Sequence, residues 1–183
     1  PKDRCSLWTS LSFDVSVYEI FSALLFGATL EIPTEEIRSE PAAFLSWLYA
    51  RRISSAYVAP LLLPSLLDLL RKGAGGPPLR RLLVGVEPIP AQLLWEIATL
   101  LPDLCILNGY GPTEASICAT LYQVSREVKP DEMRNTPIGQ PVANCAIFIL
   151  DRQIQPLPIG APGELHIGGA GLCGFSGGLC GLC

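Results

Sequence analysis

Two periods of apolar residues take turns along the middle of the chain, and each change of period marks an element. Residues 54–59, SSAYVA, are small, aromatic or β-branched and predict a short buried strand. Pro64 then opens PSLLDLLR, an amphipathic run that predicts a helix. The turn RKGAGGPP leads to LLVGV at 82–86, a second strand. Pro90 is expected at the first helical position, where no backbone N–H is needed, and Leu93, Leu94, Ile97, Leu100 and Leu101 repeat along one helical face. Pro102 ends that helix and LCIL at 104–107 is the third strand. An earlier stretch has the same grammar: a helix from about Val15 to Phe26, the strand ATLEI, and a helix opened by Pro41 and running through Tyr49.

Strands alternating with helices across short turns predict an α/β fold, a parallel sheet covered by helices. After about Val142 the helical period is lost, and ANCAIFILD and GELHIG read as strands of a smaller β subdomain. The expected organisation is therefore an α/β sheet portion over 1–137, a β-rich portion over 138–172 and a Gly/Cys-rich tail over 173–183. Open α/β sheets bind ligands beyond the carboxyl ends of their strands. Three connections leave such ends here: Tyr57 to Pro60, Gly85 to Pro88, and Asn108 to Glu114.

Composition narrows the classes. Of 183 residues 49% are hydrophobic, enough to bury a core and too many for a disordered chain. The net charge is −4 and no basic run exceeds two residues, which argues against nucleic-acid or anionic-membrane partners. PKDRCSLW has no apolar signal region, and the most apolar window, AYVAPLLLPSLLDLL, is interrupted by Pro60, Pro64, Ser65 and Asp68. A cytoplasmic location is the expectation.

Four of the seven cysteines, Cys5, Cys105, Cys118 and Cys145, are scattered and read as small hydrophobes. Cys173, Cys180 and Cys183 crowd the tail, but a structural zinc site wants four ligands, and His166 sits mid-strand as a half-buried imidazole would. The run from Gly169 to Gly174 satisfies G-x-G-x-x-G without the following helix or the later acid that a dinucleotide site requires.

The stretch NGYGPTEAS, Asn108 to Ser116, carries more than a turn needs. Gly109 and Gly111 allow close backbone approach, Tyr110 offers a flat face, and Thr113 and Glu114 supply oxygens suited to phosphate and Mg²⁺. The competing reading is a Gly-Pro turn with a solvated glutamate. Asp14 has two readings as well: N-cap of the helix that follows, or charge partner of a bound cation.

Three segments in order, SLSFDVSVYEIFSALLFGATLEI, NGYGPTE and GELHIGGAGL, resemble the core motifs of the adenylate-forming superfamily, specifically the adenylation domains of nonribosomal peptide synthetases. The similarity runs over about residues 1 to 172. It implies part of the large N-terminal α/β domain of such enzymes and the start of a β subdomain. It also implies activation of an amino-acid carboxylate with ATP and Mg²⁺, giving aminoacyl-AMP and pyrophosphate. The acyl group then passes to phosphopantetheine on a peptidyl carrier domain, expected in the same parent polypeptide. On this resemblance Asn108, Gly109 and Tyr110 hold adenine, Thr113 contacts phosphate and Glu114 holds Mg²⁺, the last two as catalytic residues. Asp14 pairs with the α-ammonium, and Val15, Tyr18, Tyr57, Leu83, Gly85, Gly109, Ile117 and Cys118 line the amino-acid pocket.

Departures from the family pattern accompany the match. Val86 stands where the family usually has glycine before Glu87, and Gly-Leu-Cys recurs at 171, 178 and 181 where Arg-Gly-Tyr and charges are expected. The family's Gly/Ser/Thr-rich phosphate loop is expected upstream of Pro1, and its ribose-binding aspartate and catalytic lysine beyond Cys183. An internal fragment that is inactive by itself is therefore the expectation. The alternatives are a fragment of an acyl- or aryl-CoA ligase, which Asp14 disfavours, and a non-enzymatic piece.

Overall fold

The computed structural model describes residues 3–73, 76–127, 129–131, 133–173 and 180–181. The chain forms two compact units, Pro1–Asn108 with Tyr122–Pro137, and Gly109–Leu121 with Ile138–Cys183.

The first unit opens with β1 (Arg4–Ser6), α1 (Val15–Leu24), β2 (Thr29–Glu31), α2 (Glu35–Ser39) and α3 (Pro41–Ala50). It continues through β3 (Ser55–Tyr57), a 3-10 turn at Pro60–Leu62, α4 (Leu63–Arg71), β4 (Arg81–Gly85), α5 (Ala91–Leu100) and β5 (Cys105–Tyr110), the last two residues of which fall in the second unit. β1 pairs in parallel with β2 and β3, and β3 pairs in parallel with β4, in the order β2-β1-β3-β4-β5. Side chains alternate across this sheet. Ala56, Val58, Leu82, Val84 and Ile106 enter a core with Phe44 and Leu48 of α3, Leu63 and Leu66 of α4, and Leu94 and Ile97 of α5. Each fully buried side chain of this size contributes about 1.5–3 kcal/mol over its exposed state. Tyr57 and Leu83 point the other way, as period-two geometry demands.

Several details differ from the sequence expectation: α1 ends at Leu24 rather than near Phe26, and Leu100, expected on the apolar face of α5, is exposed. Pro90 lies one residue before α5, with φ −55° and ψ 126°, because residues 89–91 pair like a strand with 134–136. Ala91 N–H donates to Arg134 O at 2.9 Å and Thr136 N–H to Ile89 O at 2.7 Å, which keeps the proline extended. β5 does not stop at Leu107 but runs on through Asn108 and Gly109 to Tyr110.

The second unit holds the start of β6 (Thr120–Gln123), β7 (Gln140–Pro141), β8 (Cys145–Leu150), β9 (Glu164–Gly169) and β10 (Cys180–Gly181). β6 pairs antiparallel with β7 through Thr120 and Leu121, and β8 with β9 from Cys145↔Gly169 to Leu150↔Glu164. Ala115, Ala119 and Ile167 make a small core against which Tyr110, Ile147, Leu165 and Leu172 pack. His166 is buried rather than half-buried, with Nε2 3.6 Å from the Glu164 carboxylate. Of the tail cysteines, Cys173 is exposed, Cys180 pairs with Ile167 across β10 and β9, and Cys183 lies outside the described residues. The end of the G-x-G-x-x-G run, at Gly174, also lies outside them. Among the described residues no helix is long and apolar enough to cross a membrane.

Candidate functional site

In the first unit the candidate residues gather at the carboxyl ends of parallel strands and at the start of one helix. Tyr57 closes β3 and is buried, Leu83 is its register partner on β4, and Gly85 closes β4. Leu83 and Gly85, two residues apart, share the sheet face that bears Tyr57. The Val58 amide donates to Leu83 O at 3.0 Å, which holds the two strand ends together. The turn beyond Gly85 is strained: Gly85 has φ 147°, and Val86 has φ 68°, a conformation that a β-branched residue adopts rarely.

Asp14 immediately precedes α1, and Val15 is the first helical residue and buried. The N-cap reading of Asp14 fails here. Its backbone is already helical, at φ −61° and ψ −30°, and its side chain makes no capping bond. Local backbone geometry satisfies the first amides instead, because Phe13 N–H reaches Ser10 O, Ser16 N–H reaches Phe13 O and Val17 N–H reaches Asp14 O. The half-buried Asp14 carboxylate thus makes no side-chain hydrogen bond or ion pair among the described residues. Tyr18 stands one turn further on, also half-buried.

Glu19 was not singled out from the sequence. It is 2% exposed and accepts from Trp8 N–H at 3.0 Å through Oε1 and from Thr9 N–H at 2.8 Å through Oε2. Burial pushes its carboxyl up, opposed by those two amides and by the Thr9 and Ser6 hydroxyls. Its only sequence signal is a lone charge in the apolar run VSVYEIFSALL.

Asn108 is buried in the first unit, and its side-chain N–H donates to Pro137 O at 2.9 Å. Gly109 to Cys118 belong to the second unit. Gly109 is buried, while Thr113 and Glu114 are exposed on a single 3-10 turn, Thr113–Ala115. Gly111 is there for close approach: a Cβ would stand 2.7 Å from Ala119 N and 2.9 Å from Ile117 O. The turn exits through two consecutive left-handed residues, Ser116 at φ 59° and Ile117 at φ 77°, followed by Cys118. Two bonds hold it there: Ser116 Oγ donates to Gly171 O at 2.6 Å, and Cys173 N–H donates to Glu114 O at 2.8 Å. Neither the Thr113 hydroxyl nor the Glu114 carboxylate has a side-chain partner among the described residues, so both oxygens are available. Exposed hard oxygen donors on a fixed turn fit Mg²⁺ carried with phosphate oxygens.

Residues 1–174 match the family described as AMP-binding enzyme. The chain belongs to this family. Its curated relatives are synthetases. It is 39% identical over 172 residues to one component of the linear gramicidin synthase of Brevibacillus parabrevis, covering 94% of this chain and 3% of that protein. It is 36% identical over 174 residues to tyrocidine synthase 1 of the same organism, covering 93% of this chain and 15% of that one. Among solved structures it superimposes on the nonribosomal peptide synthetase FmoA3 with TM-score 0.83 and 29% identity, over 94% of this chain and 19% of that chain. PA1221, described as containing adenylation and PCP domains and bound to a vinylsulfonamide inhibitor, gives TM-score 0.79 and 29% identity over 29% of its length. The mostly parallel, helix-covered sheet is therefore the N-terminal α/β fold of synthetase adenylation domains. The chain spans a small part of each of these relatives.

Proposed function

We propose that this chain is the part of an ATP-dependent adenylation domain that selects an amino acid and presents oxygen ligands to MgATP, in a longer synthetase. The observation that carries the reading is the half-buried Asp14 carboxylate just before α1, which makes no capping bond there. A bound ammonium requires such a partner, because a desolvated cation without one costs several kcal/mol. Val15, Tyr18, Tyr57, Leu83 and Gly85 then meet the substrate's side chain, and Gly109, Ile117 and Cys118 keep the substrate role that the family resemblance gives them. Tyr110 stacks on adenine with Asn108 and Gly109 alongside, Thr113 contacts phosphate and Glu114 ligates Mg²⁺. A substrate carboxylate is already nucleophilic, so these residues contribute positioning and charge compensation, not a general base.

The activity is that of the longer protein. Support for a carrier acceptor comes from PA1221, which holds adenylation and PCP domains together, and support for the nucleotide from FmoA3, which was also solved in an AMPPNP-bound form. The acceptor would be phosphopantetheine on a carrier domain of the same polypeptide, in the cytoplasm. The substrate is a neutral amino acid with an apolar or weakly polar side chain, since Asp14 is the one carboxylate among the substrate residues and is committed to the ammonium.

The test is amino-acid-dependent ATP–pyrophosphate exchange by the parent synthetase, run over the proteinogenic amino acids. Asp14→Asn should lower kcat/KM for the preferred amino acid by about 100-fold or more, in keeping with a lost buried charge pair. Glu114→Gln should lower exchange at ordinary Mg²⁺ while leaving thermal stability within about 0.5 kcal/mol. Exchange driven by carboxylic acids without an amine, and indifferent to Asp14→Asn, would replace the reading by an acyl- or aryl-CoA ligase. The 183-residue chain alone should show no exchange above blank.

A further inference from the structure

A buried acid on α1 is used by nothing in the reading above. Glu19 is 2% exposed, on the helix face shared with Val15, Ser16 and Ala23. No cation pairs with it among the described residues, and its carboxyl is spent on two backbone amides, Trp8 N–H at 3.0 Å and Thr9 N–H at 2.8 Å. Those amides begin the connection from β1 to α1, just beyond the strand end where Leu7 N–H still reaches Glu31 O at 2.8 Å. Without the two oxygens a buried donor at Thr9 and a part-buried one at Trp8 would lose these partners.

Trp8 links this clamp to the strand ends. Its ring lies 6.2 Å from the ring of Tyr57, centroid to centroid, and 5.7 Å from that of Phe44, and its indole N–H donates to Arg38 O at 3.2 Å. Glu19 therefore touches two things at once. Through Trp8 it fixes the neighbour of Tyr57 at the end of β3. Through its own backbone it follows Tyr18 directly and lies one turn from Val15, the first residue of α1 after Asp14. We propose that Glu19 is a positioning residue for amino-acid selection, its two carboxyl oxygens holding the β1–α1 connection and the start of α1 in register with Tyr57. The proposal rests on the reading that Asp14, Val15, Tyr18 and Tyr57 receive the amino acid.

Both oxygens are needed, which makes the glutamine variant informative. Glu19→Gln keeps the shape and one acceptor, while its amide N–H₂ faces a backbone N–H. Glu19→Ala removes both acceptors. On the 183-residue chain, amide hydrogen exchange should speed up by about 10-fold or more at one of Trp8 and Thr9 in Glu19→Gln and at both in Glu19→Ala, with the amides of β4 and α5 unchanged. Protection at Trp8 and Thr9 that survives Glu19→Gln undiminished overturns the clamp. If Glu19→Ala does not fold, Glu19→Gln alone decides this point.

The second readout separates positioning from mere folding. In the parent synthetase, Glu19→Gln should raise KM for the amino acid about 10-fold or more while KM for ATP stays within about 2-fold. Equal rises in both constants, or a fall in kcat with both unchanged, would overturn the selection role. A parent enzyme with no amino-acid-dependent exchange at all would remove the proposed function instead, and the amide measurement would still decide whether Glu19 clamps the connection.

Discussion

Val86 shows a residue working against its own chemistry. At φ 68° and 66% exposed, it bears the strain of a left-handed β-branched side chain with no buried contacts to offset it. Such a residue costs roughly 1–2 kcal/mol, and the glycine that the family resemblance leads one to expect would avoid it. Glycine returns part of the gain as unfolded-chain entropy, so Val86→Gly should stabilise the chain by about 1 kcal/mol and raise Tm by about 2–4 °C. Thermal denaturation checks this, and an unchanged or lower Tm refutes the strain. Glu19 gives the residue scale its pH dependence. Burial raises its carboxyl, against the pull of the Trp8 and Thr9 amides and the Thr9 and Ser6 hydroxyls, and its charge is felt by the Cys5 thiol. A raised acid holds its proton more tightly when folded, so its contribution to stability declines as pH climbs from the unfolded carboxyl value, about 4, toward the folded one. Asp3, lowered by Ser54 and Arg80, has the opposite sign and loses stability as pH falls. Glu19→Gln removes only the first slope. Its stability relative to wild type should therefore improve steadily as pH rises through that window, and a constant difference in denaturant titrations at several pH values would contradict the burial argument. Asp14 stood out in the sequence because it directly precedes a predicted helix inside a segment that resembles a core motif of the family. Glu19 did not, because its partners are main-chain amides eleven and ten residues away, invisible to any side-chain pattern.

At the scale of elements, the helices and the buried strands were legible because period and punctuation agreed. α3 begins at Pro41, the core face of α4 carries leucines, and of the stripe expected on α5 Leu94 and Ile97 are buried, Leu93 and Leu101 partly buried and Leu100 exposed. Several short elements were not legible, β1, α2 and β6 among them. β1 is three residues, RCS, and α2 is five, EEIRS, too short for any period to show. β6 follows two left-handed residues, and no glycine announces that turn. The extension of β5 through Gly109 was missed because glycine reads as a break in a strand, whereas Tyr110 O accepting from Ala119 N–H at 2.8 Å keeps it paired. That pairing depends on Gly111. Gly111→Ala would drive a methyl to 2.7 Å from Ala119 N and 3.0 Å from Cys118 Cα, both backbone atoms that cannot swing away. The expected cost is about 1–3 kcal/mol, taken locally. Amide exchange at Ala119 and Ser116 should accelerate while the β8–β9 ladder stays protected. An alanine variant with wild-type exchange at Ala119 would show that the turn accommodates a side chain after all.

At the scale of the whole chain, α1 buries two polar residues and exposes several large apolar ones. It buries Ser16 and Glu19 along with Val15 and Ala23, and shows Val17, Phe21 and Leu24, spaced four and three residues apart, with Leu25 and Phe26 beyond its end at 72% and 75% exposure. The sequence pattern points the other way, since Ser16, Glu19 and Ser22 recur every three residues and a polar stripe of that kind normally faces water. Chemistry that the period does not record favours this direction: the Glu19 carboxylate accepts from the Trp8 and Thr9 amides on the inward face, while Phe21 lies on the outward one. An apolar face of this kind has consequences in water. Monomeric soluble proteins rarely leave large contiguous apolar patches exposed, and those that do tend to associate. The 183-residue chain should therefore bind a hydrophobic dye strongly at neutral pH and self-associate with rising concentration in sedimentation experiments. Phe21→Ser with Leu25→Ser, both at exposed positions, should cut dye fluorescence by about half or more and shift the distribution toward monomer, at a stability cost within about 1 kcal/mol. Substitutions at Ile149 and Ile154, exposed apolar residues of the second unit, serve as the control and should change neither measurement. If the α1 pair leaves dye binding and association unaltered, the outward face of α1 is not what governs how this chain behaves in solution.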